Sequence, residues 1–232
     1  MSAPVRTPKF STREALRFGW RAARRFFGFF VTMFIVTSIV DGIPSQIQFA
    51  TRESAPLISA LAGLLAAAIS IVVSIGWTKV LLRIADGERP DHSDLYAHHA
   101  LLFRYLGASL LYVLSIIAGT ILLIIPGILA AVRYSMASFL VVDRGMGPLE
   151  AMRKSAEITK GERMHLFIAG LALGGFTLLG ALALVIGLLW TLPAAMVAGA
   201  FIYRRLSPRE PDAGAPAPAP AGGPKEWWAS AR

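Results

Sequence analysis

Six apolar runs dominate the chain, at about residues 26–43, 57–82, 101–125, 127–142, 164–185 and 188–205. A helix rising about 1.5 Å per residue needs about 20 residues to cross the hydrocarbon of a bilayer, so each run is near spanning length. The 42 residues from 101 to 142 are too long for one crossing, and the pair Pro126-Gly127 interrupts them. Such a pair marks a turn, so this stretch reads as a tight hairpin. The same length argument divides 164–205, with the turn between Ala183 and Trp190 and Gly187 as the chosen point. Charged residues make up only 16% of the 232-residue chain, against about 25% in soluble domains. The predicted fold class is all-α: a polytopic membrane bundle of six transmembrane helices in three hairpins.

The cationic residues set the predicted orientation. Arg6, Lys9, Arg13, Arg17, Arg21, Arg24 and Arg25 precede the first span; Lys79, Arg83, Arg89 and Arg104 bracket the second connection. Arg144, Arg153, Lys154, Lys160 and Arg163 fill the fourth connection, and Arg204, Arg205, Arg209, Lys225 and Arg232 follow the sixth span. Only Arg52 and Arg133 depart from this side. Lysine and arginine are retained on the cytoplasmic face, so both termini are expected in the cytoplasm. The Ala-, Gly- and Arg-rich composition points to a bacterial chain and hence to the inner membrane. The net charge of +9 does not imply a nucleic-acid partner, because the basic groups flank greasy spans instead of lining one soluble face. With no cysteine there is no thiol chemistry. No small-residue cleavage site follows the first run, which is expected to stay as a span.

Two polar stretches read as amphipathic helices. On a helical wheel of residues 148–160, Glu150, Arg153, Lys154, Glu157 and Lys160 share one arc, and Leu149, Ala151, Met152, Ser155, Ala156, Ile158 and Thr159 the other. Pro148 suits the first helical position and Gly161 the stop, with a Glu150–Lys154 ion pair along the face. In the stretch from Ser11 to Arg25, Ser11 and Glu14 fit a capping box. Arg13, Glu14, Arg17, Arg21, Arg24 and Arg25 oppose Leu16, Phe18, Trp20, Ala22 and Ala23. Residues from Pro90 to Leu106 form a third such candidate. The chain therefore reads as three repeats, each a short cytoplasmic surface helix followed by a hairpin: a basic amphipathic helix over 1–25, a transmembrane domain over 26–206, and a Pro/Ala-rich extended tail over 207–232. Two readings of the surface helices stand: seating on the membrane, or recognition of anionic lipid headgroups by Arg13, Arg17, Trp20, Arg21, Arg24, Arg25, Arg153 and Lys154.

The stretch from Ile125 to Gly161 resembles a signature of bacterial YciC-like inner-membrane proteins and of the membrane domain fused to some glycerophosphoryl diester phosphodiesterases. The matching positions are Ile125, Pro126, Gly127, Arg133, Tyr134, Asp143, Gly147, Pro148, Glu150, Ala151, Ser155, Thr159 and Gly161. The resemblance implies a six-span membrane fold without a settled biochemical function. The soluble phosphodiesterase part is absent, so its chemistry is not carried over.

Arg133 is the one charge placed well inside a span, which marks a candidate functional residue. It can instead snorkel to lipid phosphates or pair with Asp41 and so anchor the third and fourth spans against the first. His92, His98 and His99, near Asp91 and Asp94, read as interfacial histidines and not as metal ligands, since nothing fixes the remaining ligands; His165 reads as interfacial too. Gly170 and Gly174, and the stripe of Ser70, Ser74 and Thr78, suit close helix packing, with a polar path as the alternative. Pro193 is a candidate kink. Trp227 and Trp228, beside Lys225 and Arg232, suit a return to the membrane surface or a docking peptide. No phosphate-cradling glycine loop, HExxH, GxSxG or intramembrane carboxylate pair is present, so neither a catalytic site nor a cofactor or metal site is expected. The functional expectation is a non-enzymatic scaffold or regulatory module contacting membrane lipids and possibly other membrane proteins. The alternative is a small transporter, with Arg133 and the Ser70–Thr78 stripe lining one water-filled cavity.

Overall fold

The computed structural model describes residues 10–90, 99–182 and 184–208. Among these residues the chain forms nine α-helices: α1 (Thr12–Arg25), α2 (Phe27–Ala50), α3 (Pro56–Ala85), α4 (Leu102–Leu122), α5 (Ile124–Tyr134), α6 (Ala137–Arg144), α7 (Pro148–Ile158), α8 (Arg163–Leu182) and α9 (Leu184–Leu206). A single 3₁₀ turn, His99–Leu101, leads into α4. Six segments are long and apolar enough to cross a membrane: Phe27–Ala50, Pro56–Ala85, Leu102–Leu122, Ile124–Arg144, Arg163–Leu182 and Gly187–Leu206. They pair as three antiparallel hairpins. Ser59 Oγ donates to the Gln48 carbonyl at 2.9 Å between α2 and α3, the Tyr112 hydroxyl reaches the Ala131 carbonyl between α4 and α5, and Gly180 packs against Thr191 between α8 and α9.

Burial is concentrated at one end. Phe30, Met33, Val80, Leu82, Ile84, Leu140, Val141, Val197 and Tyr203 are almost fully buried. They come from the start of α2 and the ends of α3, α6 and α9, the end that carries most of the cations. Toward the other end the hairpins bare their apolar faces. Ile35, Ile39, Ile43 and Ile47, spaced four apart on α2, are each about half exposed or more. A stripe of isoleucines one helical turn apart is stable in contact with lipid tails and not with water.

Such amphipathic helices are expected to lie along the membrane surface or to cap the bundle, apolar side down; both turn that side onto the bundle. The apolar side of α1 packs antiparallel along α9: Phe18 stacks on Phe201 with ring centroids 4.8 Å apart, Trp20 meets Trp190, and Gly19 sits against the backbone of Ala194. Helix α7 packs on α4, α5 and α6, burying Ala151, Met152 and Ser155. Each amphipathic helix thus straps a hairpin other than the one it precedes. The apolar arcs predicted from the wheel are buried or partly buried, except that Trp20 and Leu149 are exposed; what covers them is protein.

Several expectations are corrected. The hairpin between α4 and α5 turns at Leu123, which is extended (φ −172°, ψ 154°), and Pro126 lies inside the first turn of α5. The first N–H groups of a helix have no intrahelical acceptor, so proline there breaks nothing. Gly187 is inside α9, which begins at Leu184, whereas α8 ends at Leu182. The first span runs past residue 43 and through Pro44 to Ala50. Ser11 makes no side-chain cap; Glu14 instead pairs with Arg205 at 2.7 Å. Lys154 pairs with Glu157 at 3.2 Å, leaving Glu150 to accept from the Gly147 N–H at 3.4 Å. Of the expected helix between Pro90 and Leu106, the part with Asp91, His92, Asp94 and His98 lies outside the described residues, and from His99 on it is the 3₁₀ turn and the start of α4; the tail with Lys225, Trp227, Trp228 and Arg232 lies outside them too.

Candidate functional site

The fourth apolar run, expected as one helix, is broken. Between α5 and α6 the chain turns at Ser135 and Met136, and Ser135 Oγ takes the Val132 carbonyl at 2.9 Å. A break at this depth leaves backbone groups that need partners from elsewhere in the protein. Helix α7 supplies them. Ser155 Oγ accepts from the Met136 N–H at 3.2 Å and donates to the Arg133 carbonyl at 3.0 Å. Thr159 Oγ1 stands 3.2 Å from the same carbonyl and 2.8 Å from the Ser155 carbonyl. Both side chains are fully buried. Ser155→Ala orphans the Met136 N–H, and the cost of such a buried donor is about 1–3 kcal/mol. The expected result is a lower unfolding midpoint in mild detergent, with a smaller effect for Thr159→Val because Ser155 still holds the Arg133 carbonyl.

The rest of the 125–161 segment serves the same dock. Gly147 precedes α7 and Pro148 takes its first position, packing against Gly107 of α4. Gly145 ends α6 in a left-handed conformation (φ 63°), with its carbonyl accepting from Arg104. Gly161 ends the α7 region at φ 93°, a conformation open to glycine and strained for other residues. Gly127 is buried against Thr120 at the tip of the α4–α5 hairpin.

Asp143, at the end of α6, belongs to a clasp joining all three hairpins. Arg204 Nη1 donates to Asp143 Oδ2 at 2.7 Å, and its Nη2 donates to Asp86 Oδ2 at 2.7 Å. The Tyr203 hydroxyl also donates to Asp143, at 2.7 Å. The Arg204 and Asp143 side chains are only 11% and 5% exposed, so these are bonds in a poorly screened setting. Nearby, Arg144 donates to Ser207 Oγ at 2.8 Å. Asp86 and Tyr203 escaped sequence reading, and Arg204 was legible there only as one of the cations that set the orientation. The available signal was that each lies at the end of an apolar run on the same predicted side.

Arg133 and Asp41 do not meet. Asp41 accepts from Ser70 Oγ at 3.1 Å within the first hairpin. The Arg133 guanidinium is exposed and lies 5.3 Å from the centre of the Tyr134 ring. Helix ends alone gave the two residues similar heights, but not the side of the bundle each faces. Arg133 borders a cavity of about 410 Å³ together with Ser115, Tyr134, Arg163 and the apolar Pro126, Leu129 and Ala130. A second cavity, about 400 Å³ and almost wholly apolar, separates α5 from α8 and α9. Gly170 lines it, and a side-chain carbon at Gly170 or Gly174 would touch nothing within 4 Å. These two glycines do not mediate close packing, because a small residue allows approach without compelling it. Neither cavity is lined by Ser70, Ser74 or Thr78. Ser74 and Thr78 bond to carbonyls one turn back in α3. Pro193 is inside α9. His165 is exposed, with Nδ1 3.5 Å from Glu162 Oε2.

On the exposed side of α1 stand Arg13, Arg17, Arg21, Arg24 and Arg25, with Trp20 39% exposed at its edge. On α7, Arg153 is exposed and Lys154 partly so. A family model described as "Protein of unknown function (DUF975)" matches residues 93–210, the half of the chain that holds the helix break, α7 and the third hairpin. The chain belongs to the DUF975 family. It is also 30% identical over 129 residues to a UPF0259 membrane protein of Pectobacterium carotovorum subsp. carotovorum (strain PC1), covering 54% of this chain. The chain spans about half the length of that curated relative, 52%. No solved structure matches it. The relative's name agrees with a membrane protein, and the matched region contains all of the signature positions singled out above.

Proposed function

We propose that this DUF975 protein is a non-enzymatic module of a bacterial inner membrane that gathers anionic lipids around its basic end, with both termini in the cytoplasm and the YciC-like proteins as kin. The observation that supports this is the double use of α1 and α7. Their apolar faces are spent on other helices of the same chain, so their cationic faces are held outward on a fixed frame. A cation near an anionic membrane surface contributes about 1 kcal/mol, and several held in register on one helix act together. The signature residues support the same view. Gly147, Pro148, Glu150, Ser155, Thr159 and Gly161 shape and dock a helix, and Asp143 clasps hairpins. For permeation, Arg133 and the Ser70–Thr78 stripe would need to face one path; the cavity that Arg133 borders is not lined by the stripe.

The test is native mass spectrometry of the full chain released from nanodiscs containing phosphatidylglycerol and phosphatidylcholine. Replacing Arg13, Arg17, Arg21 and Arg24 together with Gln is expected to cut retained phosphatidylglycerol at least tenfold, with phosphatidylcholine unchanged. Equal retention by variant and wild type sinks the proposal.

A further inference from the structure

We propose that the cavity between α4, α5 and the start of α8 is a discrete binding site for a phosphate-bearing ligand, gripped by Arg133 and Arg163. It goes beyond the preceding reading, because this cavity is separate from the exposed faces of α1 and α7. Two guanidinium groups border one space of about 410 Å³, and no carboxylate lines it. Among the described residues, neither arginine forms an ion pair. Other arginines at the helix ends have acceptors: Arg83 meets Glu88, Arg104 the Gly145 carbonyl, Arg144 Ser207, Arg204 two aspartates and Arg205 Glu14. The Arg163 Nε is shut off from solvent with no hydrogen-bond acceptor. Its acidic neighbour Glu162 has Oε2 directed at His165.

The backbones that carry the two cations are set in helices α5 and α8. The Arg133 backbone carbonyl is fixed by Ser155. Its guanidinium lies over the Tyr134 ring, and stacking leaves the N–H edge free to donate. Arg163 opens α8, where the helix dipole adds to the attraction for an anion. A phosphate accepts forked bonds from guanidinium groups, and two such groups on one anion remove their mutual repulsion. The opposite wall, Pro126, Leu129 and Ala130, suits an apolar body attached to the phosphate.

The experiment uses the full chain in a mild neutral detergent, titrated with dioctanoyl phosphatidic acid, dioctanoylglycerol and inorganic phosphate, and read by thermal shift and calorimetry. Saturable binding of the phosphatidic acid, with none of the glycerol, is expected. Arg133→Gln and Arg163→Gln are each expected to weaken it at least tenfold while leaving the unliganded midpoint unchanged; Arg52→Gln, exposed and outside this cavity, is expected to leave it intact. Inorganic phosphate that binds and competes identifies the ligand as the free anion, and phosphate that does not compete identifies it as a lipid headgroup. Absence of saturable binding by both phosphate compounds overturns the site, as does equal weakening by Arg52→Gln. The α1 substitutions test the broader lipid reading separately, since they touch no part of this cavity.

Discussion

Arg204→Ala is expected to be the most damaging single substitution in the chain. It leaves Asp143, with a side chain 5% exposed, and Asp86, 20% exposed, facing each other at the junction of three hairpins. Removing one partner of a buried ion pair costs about 3–5 kcal/mol, because the other charge stays desolvated without its counter-charge. The measurement is the unfolding midpoint in mild detergent, with the yield of folded protein beside it. Arg204→Lys is not expected to restore stability: one ammonium cannot serve two carboxylates in the fixed fork that the guanidinium presents. Replacing all three residues by apolar ones of similar volume is expected to recover most of the loss, since the desolvation penalty goes with the charges. If Arg204→Ala is as stable as the wild type, the clasp is open to water and does not join the hairpins.

Gly19→Leu is expected to lift α1 from α9. Any side-chain carbon at residue 19 would collide with the Ala194 carbonyl oxygen and with Ala198, and backbone cannot swing aside as the end of a flexible side chain does. Overpacking of this kind costs about 1–3 kcal/mol. It falls on the helix that carries the Phe18–Phe201 stack and the Glu14–Arg205 pair. Limited trypsin digestion should cut at Arg17 and Arg21 several-fold faster than in wild type. Gly28→Leu is the control, because nothing lies within 4 Å of that position. Equal digestion rates for wild type and Gly19→Leu would mean that α1 does not depend on this contact.

The spans were legible because length and apolar composition alone decide whether a helix suits a bilayer, and those properties are local. The buried arcs of α1 and α7 were legible for the same reason: the helical period is written into neighbouring residues. Features fixed by distant residues were hidden. No proline or glycine marks the break at Ser135–Met136; a serine about 20 residues later makes it tolerable. Arg204 finds Asp143 and Asp86 across 61 and 118 positions, and no periodicity links them. The Asp41–Arg133 pairing failed because a hairpin's rotation about the bundle axis cannot be read from where its helices end. Pro126 was misplaced because a turn signal and a helix-start signal use the same residue.

The strap formed by α1 has a consequence for the order of assembly. Its resting place lies along α9, which leaves the ribosome almost two hundred residues later. While the first two hairpins enter the bilayer, this early-made segment has a greasy flank and no proper berth. The final event of maturation is therefore the return of the oldest part of the polypeptide to the newest, so a chain truncated before residue 190 is left with that flank bare and open to chaperones and proteases.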